Sequence, residues 1–173
     1  DPEISCVVFD AVGTIIEASP SVVDVYFETG RSLGSQLSRS SVAERLSRAF
    51  SLYEQRDLQA GGSLETSEER EIRRWRGIVA SVLDDVCDGD QCFQTLFDHF
   101  GDPVAWKCYE DVEDAVEQVR QRGLRWMVGS NFDGRLHAVC AGLEPLCRAD
   151  DIIVSSEVGC RKPGEQFFSA IAD

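Results

Sequence analysis

Long apolar runs are missing from this sequence: none approaches the roughly 20 residues a membrane-spanning helix needs. The N-terminus shows no basic segment followed by an apolar one and a cleavage site, so no secretory signal is expected. Positive charge is scarce as well. Seventeen Lys and Arg stand against 31 Asp and Glu, for a formal net charge of -14. That field repels phosphate backbones and anionic lipid heads, which sets aside nucleic acid and membrane surfaces as partners. The seven cysteines contain no CxxC pair, and no His stands at metal-ligand spacing to them. Cys6 and Cys140 fall on predicted core faces, where a free thiol behaves as a small hydrophobe. A reduced, cytoplasmic chain is expected.

What is present begins with Ile4-Ser5-Cys6-Val7-Val8-Phe9-Asp10-Ala11-Val12-Gly13-Thr14-Ile15-Ile16. The run from Cys6 to Phe9 suits a strand buried on both faces. It ends in a carboxylate, then a glycine, then a hydroxyl. Asp10 then lies at the carboxyl end of the strand, where open α/β sheets place their ligand crevice. The plainer reading is that Asp10 only caps a turn. Gly13 to Ile16 reads as a short flap.

From about residue 19 to 101 the pattern becomes helical. Pro20 suits a first helical turn, with Val22, Val23, Tyr26 and Phe27 on one face. Ser40 or Ser41 suits the cap of a second helix carrying Val42, Leu46, Ala49, Phe50 and Tyr53, which Gly61-Gly62-Ser63 breaks. That glycine pair has neither a preceding strand nor a Lys-Ser/Thr ending, so it is no phosphate loop. Thr66 or Ser67 opens a third helix with Ile72, Trp75, Val79, Val82, Leu83 and Val86 inward. The acidic turn from Asp84 to Asp90 resembles a calcium loop, but Val86 occupies a ligand position and no Glu closes it. It reads as a solvated loop. Phe93, Leu96, Phe97 and Phe100 mark a fourth helix, completing a compact helical insertion.

Beyond Gly101-Asp102-Pro103, strands and helices alternate. Val112, Ala115, Val116 and Val119 form a helix, residues 124–129 (LRWMVG) a strand, and Leu136, Val139 and Cys140 another helix. Ile152-Ile153-Val154 is a further strand, and Gln166 begins a last helix. This order implies a parallel sheet joined by right-handed crossovers. Asp10, Ser130-Asn131 and Lys162-Pro163 each lie just past one strand, so they converge on one carboxyl edge. Individually, Ser130-Asn131 is explicable as a helix cap and Lys162 as a surface lysine. Together they describe a site.

Three segments carry a family resemblance: Phe9 to Ile15 (FDAVGTI), Gly129 to Leu136 (GSNFDGRL) and Ser155 to Pro163 (SSEVGCRKP). In order and spacing they resemble the first three motifs of the haloacid dehalogenase (HAD) superfamily, with an all-helical cap between the first and second. The resemblance implies an α/β fold with a Rossmann-like parallel-sheet core over residues 1–18 and 102–173 and a helical cap over 19–101. It also implies a nucleophilic aspartate at Asp10. A carboxylate attacks phosphorus or carbon to give a covalent aspartyl intermediate that water hydrolyses. Lys162 then supplies a point charge, while Thr14, Ser130, Asn131 and the backbone at Gly13 hold the transferring group of a small anionic substrate.

Two departures from the family pattern stand out. Phosphatases of this family carry a second Asp two residues after the nucleophile, and this chain has Val12 there. Loss of such an acid costs about 10²–10⁴ in rate. Mg²⁺, the implied cofactor, retains Asp10 and the backbone carbonyl of Val12 as ligands, with Glu157 as an outer-shell acid. The family's fourth, acidic motif has no counterpart before Asp173, so a C-terminal part of the core is expected to be missing. A small phosphate ester is the expected substrate. A 2-haloacid is the alternative, because halide leaves without a proton; Arg39, Arg45 or Arg48 would then meet its carboxylate. A HAD-fold binding protein without catalysis is the third reading.

Overall fold

The computed structural model describes residues 4–59 and 64–172. The expected break at Gly61–Ser63 therefore lies outside the described residues. Three parallel strands, β1 (Cys6–Phe9), β4 (Arg125–Ser130) and β5 (Asp151–Val154), form a sheet in the order β1-β4-β5. Phe9 is paired with Val128, and Ser130 with Val154, so all three strands end at one edge. The chain has the expected α/β, Rossmann-like architecture.

Burial corrects one expectation. β1 is only half-buried throughout, whereas five of the six β4 residues are buried. The strand order explains it: β4 is central, and β1 ladders on one side only among the described residues. On β4, alternate side chains serve opposite faces. Trp126 and Val128 join the larger cluster with Leu136, Val139 and Cys140, while Met127 packs with Ile153 and Phe167 of α8 (Glu165–Ala172). Gly129 is required by its neighbour strand: an added Cβ would lie 2.9 Å from Val8 of β1, while Phe167 and Ile171 of α8 stand at an ordinary 3.5 Å.

The segment after Asp10 is a tight turn. The amides of Ile15 and Ile16 donate to the carbonyl of Ala11, and Gly13 adopts φ 83, which favours glycine. The expected flap continues into β2 (Ile16–Ala18), which pairs antiparallel with β3 (Trp106–Cys108). Neither short strand was apparent from periodicity, since three residues carry too little alternation to register.

Helices α1 (Val22–Ser32), α2 (Arg39–Gln59), α3 (Glu68–Val82) and α4 (Gly89–His99) gather their own apolar cluster, with Tyr26, Leu46, Ile78, Val82, Phe93 and Leu96 buried. Their starts differ in detail from expectation. Pro20 precedes the α1 cap, Ser21, whose hydroxyl accepts from the Asp24 amide. Ser38, rather than Ser40 or Ser41, accepts from the Ser41 amide at the start of α2. Ser67 caps α3 as expected. Ile72 proves 36% exposed, because its neighbour Glu71 takes the inward position at 3% exposure. The acidic turn is also more engaged than a solvated loop: Asp85 accepts from Ser35 and Gln36, Asp84 pairs with Arg45, Asp88 caps α4, and Asp90 pairs with Arg76. Burial tends to raise the Asp85 pKa, but its hydrogen bonds to Gln36 and Ser35 outweigh this and hold it below the usual carboxylate range.

The remaining helices are α5 (Val112–Gln121), α6 (Arg135–Ala141) and the short α7 (Ser155–Val158). Val112 and Val116 on α5, and Leu136, Val139 and Cys140 on α6, are buried as their spacing predicts. Of the two cysteines expected in the core, Cys140 is buried and Cys6 is partly exposed on the edge strand. Among the described residues no helix is long and apolar enough to cross a membrane.

Candidate active site

Where the strands end, three distant segments meet. Lys162 Nζ lies 2.6 Å from Asp10 Oδ1 and 2.8 Å from the carbonyl oxygen of Gly129. Thr14 Oγ1 stands 3.5 Å from Asp10 Oδ2, at the outer limit of a hydrogen bond. Asn131 clamps the Lys162 backbone from both sides. Its Oδ1 accepts from the Lys162 amide at 2.6 Å, and its Nδ2 donates to the Lys162 carbonyl at 3.1 Å. Ser130 is 4% exposed and lines the same cavity as Asp10, Val12, Asn131 and Lys162. Thr14 is exposed, and Gly13 forms the turn below Asp10.

The sheet register dictates this meeting. With Phe9 opposite Val128, Asp10 emerges level with Gly129, whose carbonyl anchors the lysine. Lys162 arrives from the loop after α7, held in place by Asn131 at the end of β4. The amide of Asn131 is thus engaged with the protein backbone.

The cavity, about 420 Å³, extends from this polar floor up between the helices. Tyr26, Phe50, Trp75, Phe93, Phe97 and Phe100 line it from the helical side, with Trp106 and Phe132 below. Burial raises the pKa of the Tyr26 hydroxyl, keeping it neutral. None of the three arginines expected to meet a substrate carboxylate lines this space. Arg39 pairs with Asp24, Arg45 with Asp84, and Arg48 lies 3.7 Å from Glu44. Periodicity places a residue on a helix; it does not tell which helix face meets the sheet.

Three other arginines line the cavity: Arg74, Arg135 and Arg161. Arg135 forms a two-pronged pair with buried Asp133, with both contacts at 2.7 Å, and donates to the Phe97 carbonyl at 2.6 Å. Its guanidinium also stacks 3.5 Å from the centre of the Phe97 ring. Arg161 Nη1 lies 2.5 Å from Glu71 Oε1, which also accepts from Thr66 Oγ1 at 2.6 Å. These contacts join helices α3 and α4 to the loops that carry Asp133 and Lys162. Glu68 extends the junction, accepting from the Gly134 amide at 2.8 Å and from the Ser156 hydroxyl. The amide of Arg161 donates to the Leu64 carbonyl at 2.8 Å. Sequence reasoning missed Glu71. Its signal was an acid occupying a helix position spaced for burial.

Among the described residues, no three His, Cys, Asp or Glu side chains gather as a metal cluster. Glu157 bonds His137 at 3.0 Å and does not line the cavity.

A family model for haloacid dehalogenase-like hydrolases matches residues 4–173. The chain belongs to this family. A haloacid dehalogenase-like hydrolase domain-containing protein 3 from Mus musculus is 37% identical over 73 residues, which span 42% of this chain and 29% of that protein. Its namesake from Danio rerio is 25% identical over 169 residues, covering 94% of this chain and 68% of its own length. The segment shared with the mouse relative is thus under a third of that protein. Among solved structures, an L-2-haloacid dehalogenase from Xanthobacter autotrophicus with covalently bound chloropropionic acid superposes at a TM-score of 0.67. It is 17% identical, and the match covers 98% of this chain and 64% of that one, a likeness of fold alone. For this HAD-like hydrolase, the family and fold inferred from three short motifs are therefore shown.

Proposed function

We propose that this HAD-like hydrolase cleaves a small phosphate ester with Asp10 as nucleophile, residues 19–101 serving as a cap over the core. The observation that carries the reading is the Asp10–Lys162 contact at 2.6 Å on the floor of a cavity lined by Ser130. A carboxylate oxygen attacks phosphorus as the P–O bond to the alcohol breaks, and the departing alkoxide takes a proton from water. A second water then attacks phosphorus, releasing inorganic phosphate and restoring the carboxylate. Lys162 offsets charge on the phosphoryl oxygens, and Ser130 donates to them. Thr14 steadies the nucleophile, while Asn131 acts by holding the lysine backbone.

Mg²⁺ binds through one or two carboxylates together with substrate oxygens and water. Asp10 and the Val12 carbonyl meet that minimum, so these residues would hold the ion once a phosphate completes its shell. The ion would supply further neutralisation of the phosphoryl charge. Lys162, already on Asp10 Oδ1, provides part of that neutralisation from the protein itself.

A second reading, cleavage of a 2-haloacid, is favoured by Val12: a halide needs no proton, and the side chain beside the nucleophile is apolar and 44% exposed. The deciding experiment measures phosphate release from aryl phosphates and halide release from 2-chloropropionate, each with and without Mg²⁺. Asp10-dependent phosphate release is expected. Halide release without phosphate release would replace the first reading with the second, and silence in both would leave a binding protein.

A further inference from the structure

We infer that the ligand of this cavity carries a single anionic head on an aromatic or otherwise apolar body, in place of a polyol or a second charged group. The inference rests on the reading of Lys162, Ser130 and Asp10 as the floor that takes the anion. Above that floor the surface changes character. Phe50, Trp75, Phe93, Phe97, Phe100 and Trp106 line the space. Val12, beside the nucleophile, continues the apolar wall down to the reacting centre. Hydroxyls of a sugar entering this space would lose water and meet few partners, a penalty that excludes them more strongly than it excludes a hydrocarbon.

Two of the three arginines in the wall point the same way. Arg135 is held by Asp133 and Arg161 by Glu71, each within 2.7 Å of its carboxylate. Their charge is already balanced inside the protein, so neither offers an uncompensated cradle for a second anion. Arg74, also at the cavity, lies 5.4 Å from the centre of the Tyr53 ring. The cavity volume of about 420 Å³ falls at the lower end of the range for small-molecule sites, about 300–1,000 Å³. That is ample for a phenyl or short alkyl group on a phosphate.

Calorimetry on the intact chain with three non-hydrolysable probes tests this: 2-phenylethylphosphonate, 3,4-dihydroxybutylphosphonate and 3-phosphonopropionate. The phenyl compound should bind about tenfold or more tighter than either of the others. Equal or weaker binding than the diol overturns the apolar body, and tighter binding of the carboxylate overturns the single anionic head. Failure of all three to bind overturns the inference outright. The exposed position of Val12 allows Val12→Thr, equal in size with one hydroxyl added, which should narrow the phenyl-over-diol preference severalfold. An unchanged ratio would remove Val12 from the wall. Hydrolysis is read separately with 2-phenylethyl phosphate and glycerol 3-phosphate, whose leaving groups are both primary alcohols. Cleavage of neither of these nor of an aryl phosphate, with the phosphonate order intact, overturns the phosphatase reading and supports the ligand class. Cleavage with a preference for glycerol 3-phosphate supports the phosphatase reading and overturns the ligand class.

Discussion

Lys162 and Asp10, 152 positions apart in the chain, meet at 2.6 Å where two parallel strands end. On the proposed reading, the pair would orient the nucleophile and place a cation where charge develops during phosphoryl transfer. Asp10→Asn should abolish phosphate release, and Lys162→Met should lower it by about 10²-fold or more. Lys162→Arg should restore little, because a planar fork cannot occupy the point between Asp10 and the Gly129 carbonyl. Steady-state rates on an aryl phosphate check all three; wild-type turnover in Lys162→Met would remove the lysine from the mechanism.

By the motif resemblance, Val12 stands where phosphatases of the family carry the Asp that protonates the leaving alcohol. Aryl phosphates, whose leaving groups need little help, should accordingly be cleaved much faster than alkyl phosphates. Val12→Asp should raise the rate on alkyl esters by about 10²–10⁴-fold, and raise that on aryl esters far less. At 44% exposure the site can accept the new carboxylate without burying it. A variant that folds, binds phosphate and gains nothing on alkyl esters would count against the proposed leaving-group position.

The Glu71–Arg161 pair binds α3 to the loop of Lys162, with side-chain exposures of 4% and 15%. Removing one member strands a buried charge. Arg161→Met should lower unfolding stability by about 3–5 kcal/mol, while the double variant Glu71→Leu with Arg161→Met should recover most of the loss. Urea denaturation of both proteins tests this. Equal loss in single and double variants would mean that packing, and not the stranded carboxylate, is responsible.

Two buried thiols should make the fold sensitive to alkali. Burial pushes the Cys140 thiol up to about 12 and the Cys92 thiol up to about 11, from an ordinary value of 9.0. Below pH 9 both states keep their protons, and the stability contribution is fully present. As pH rises toward 11–12 the unfolded thiols ionise first, and stability falls by about 1.4 kcal/mol per pH unit for each group. Cys140→Ala should flatten that slope by one such increment, whatever it does to stability at neutral pH. Urea unfolding between pH 8 and 10.5 measures it; an unaltered slope would show that the thiol is not protected.

Much of this protein was determined by its linear sequence. The run ending in Phe9-Asp10 and the Ser130-Asn131 step each mark a strand end, and Lys162-Pro163 follows the third strand after the short α7; parallel strands share that end, so the convergence followed from local pattern and chain order. The four helices between them were legible for the same reason: their apolar spacing is a property of one segment at a time. Tertiary structure alone decided the rest. It made β4 rather than β1 the central strand, turned Glu71 inward and Ile72 outward, and used Asn131 to hold the lysine. It also kept Arg39, Arg45 and Arg48 out of the cavity while admitting Arg74, Arg135 and Arg161. These outcomes depend on which faces of distant segments meet. A buried charge or a cavity wall is defined by its neighbours in space, and those are set only when the helices close over the sheet.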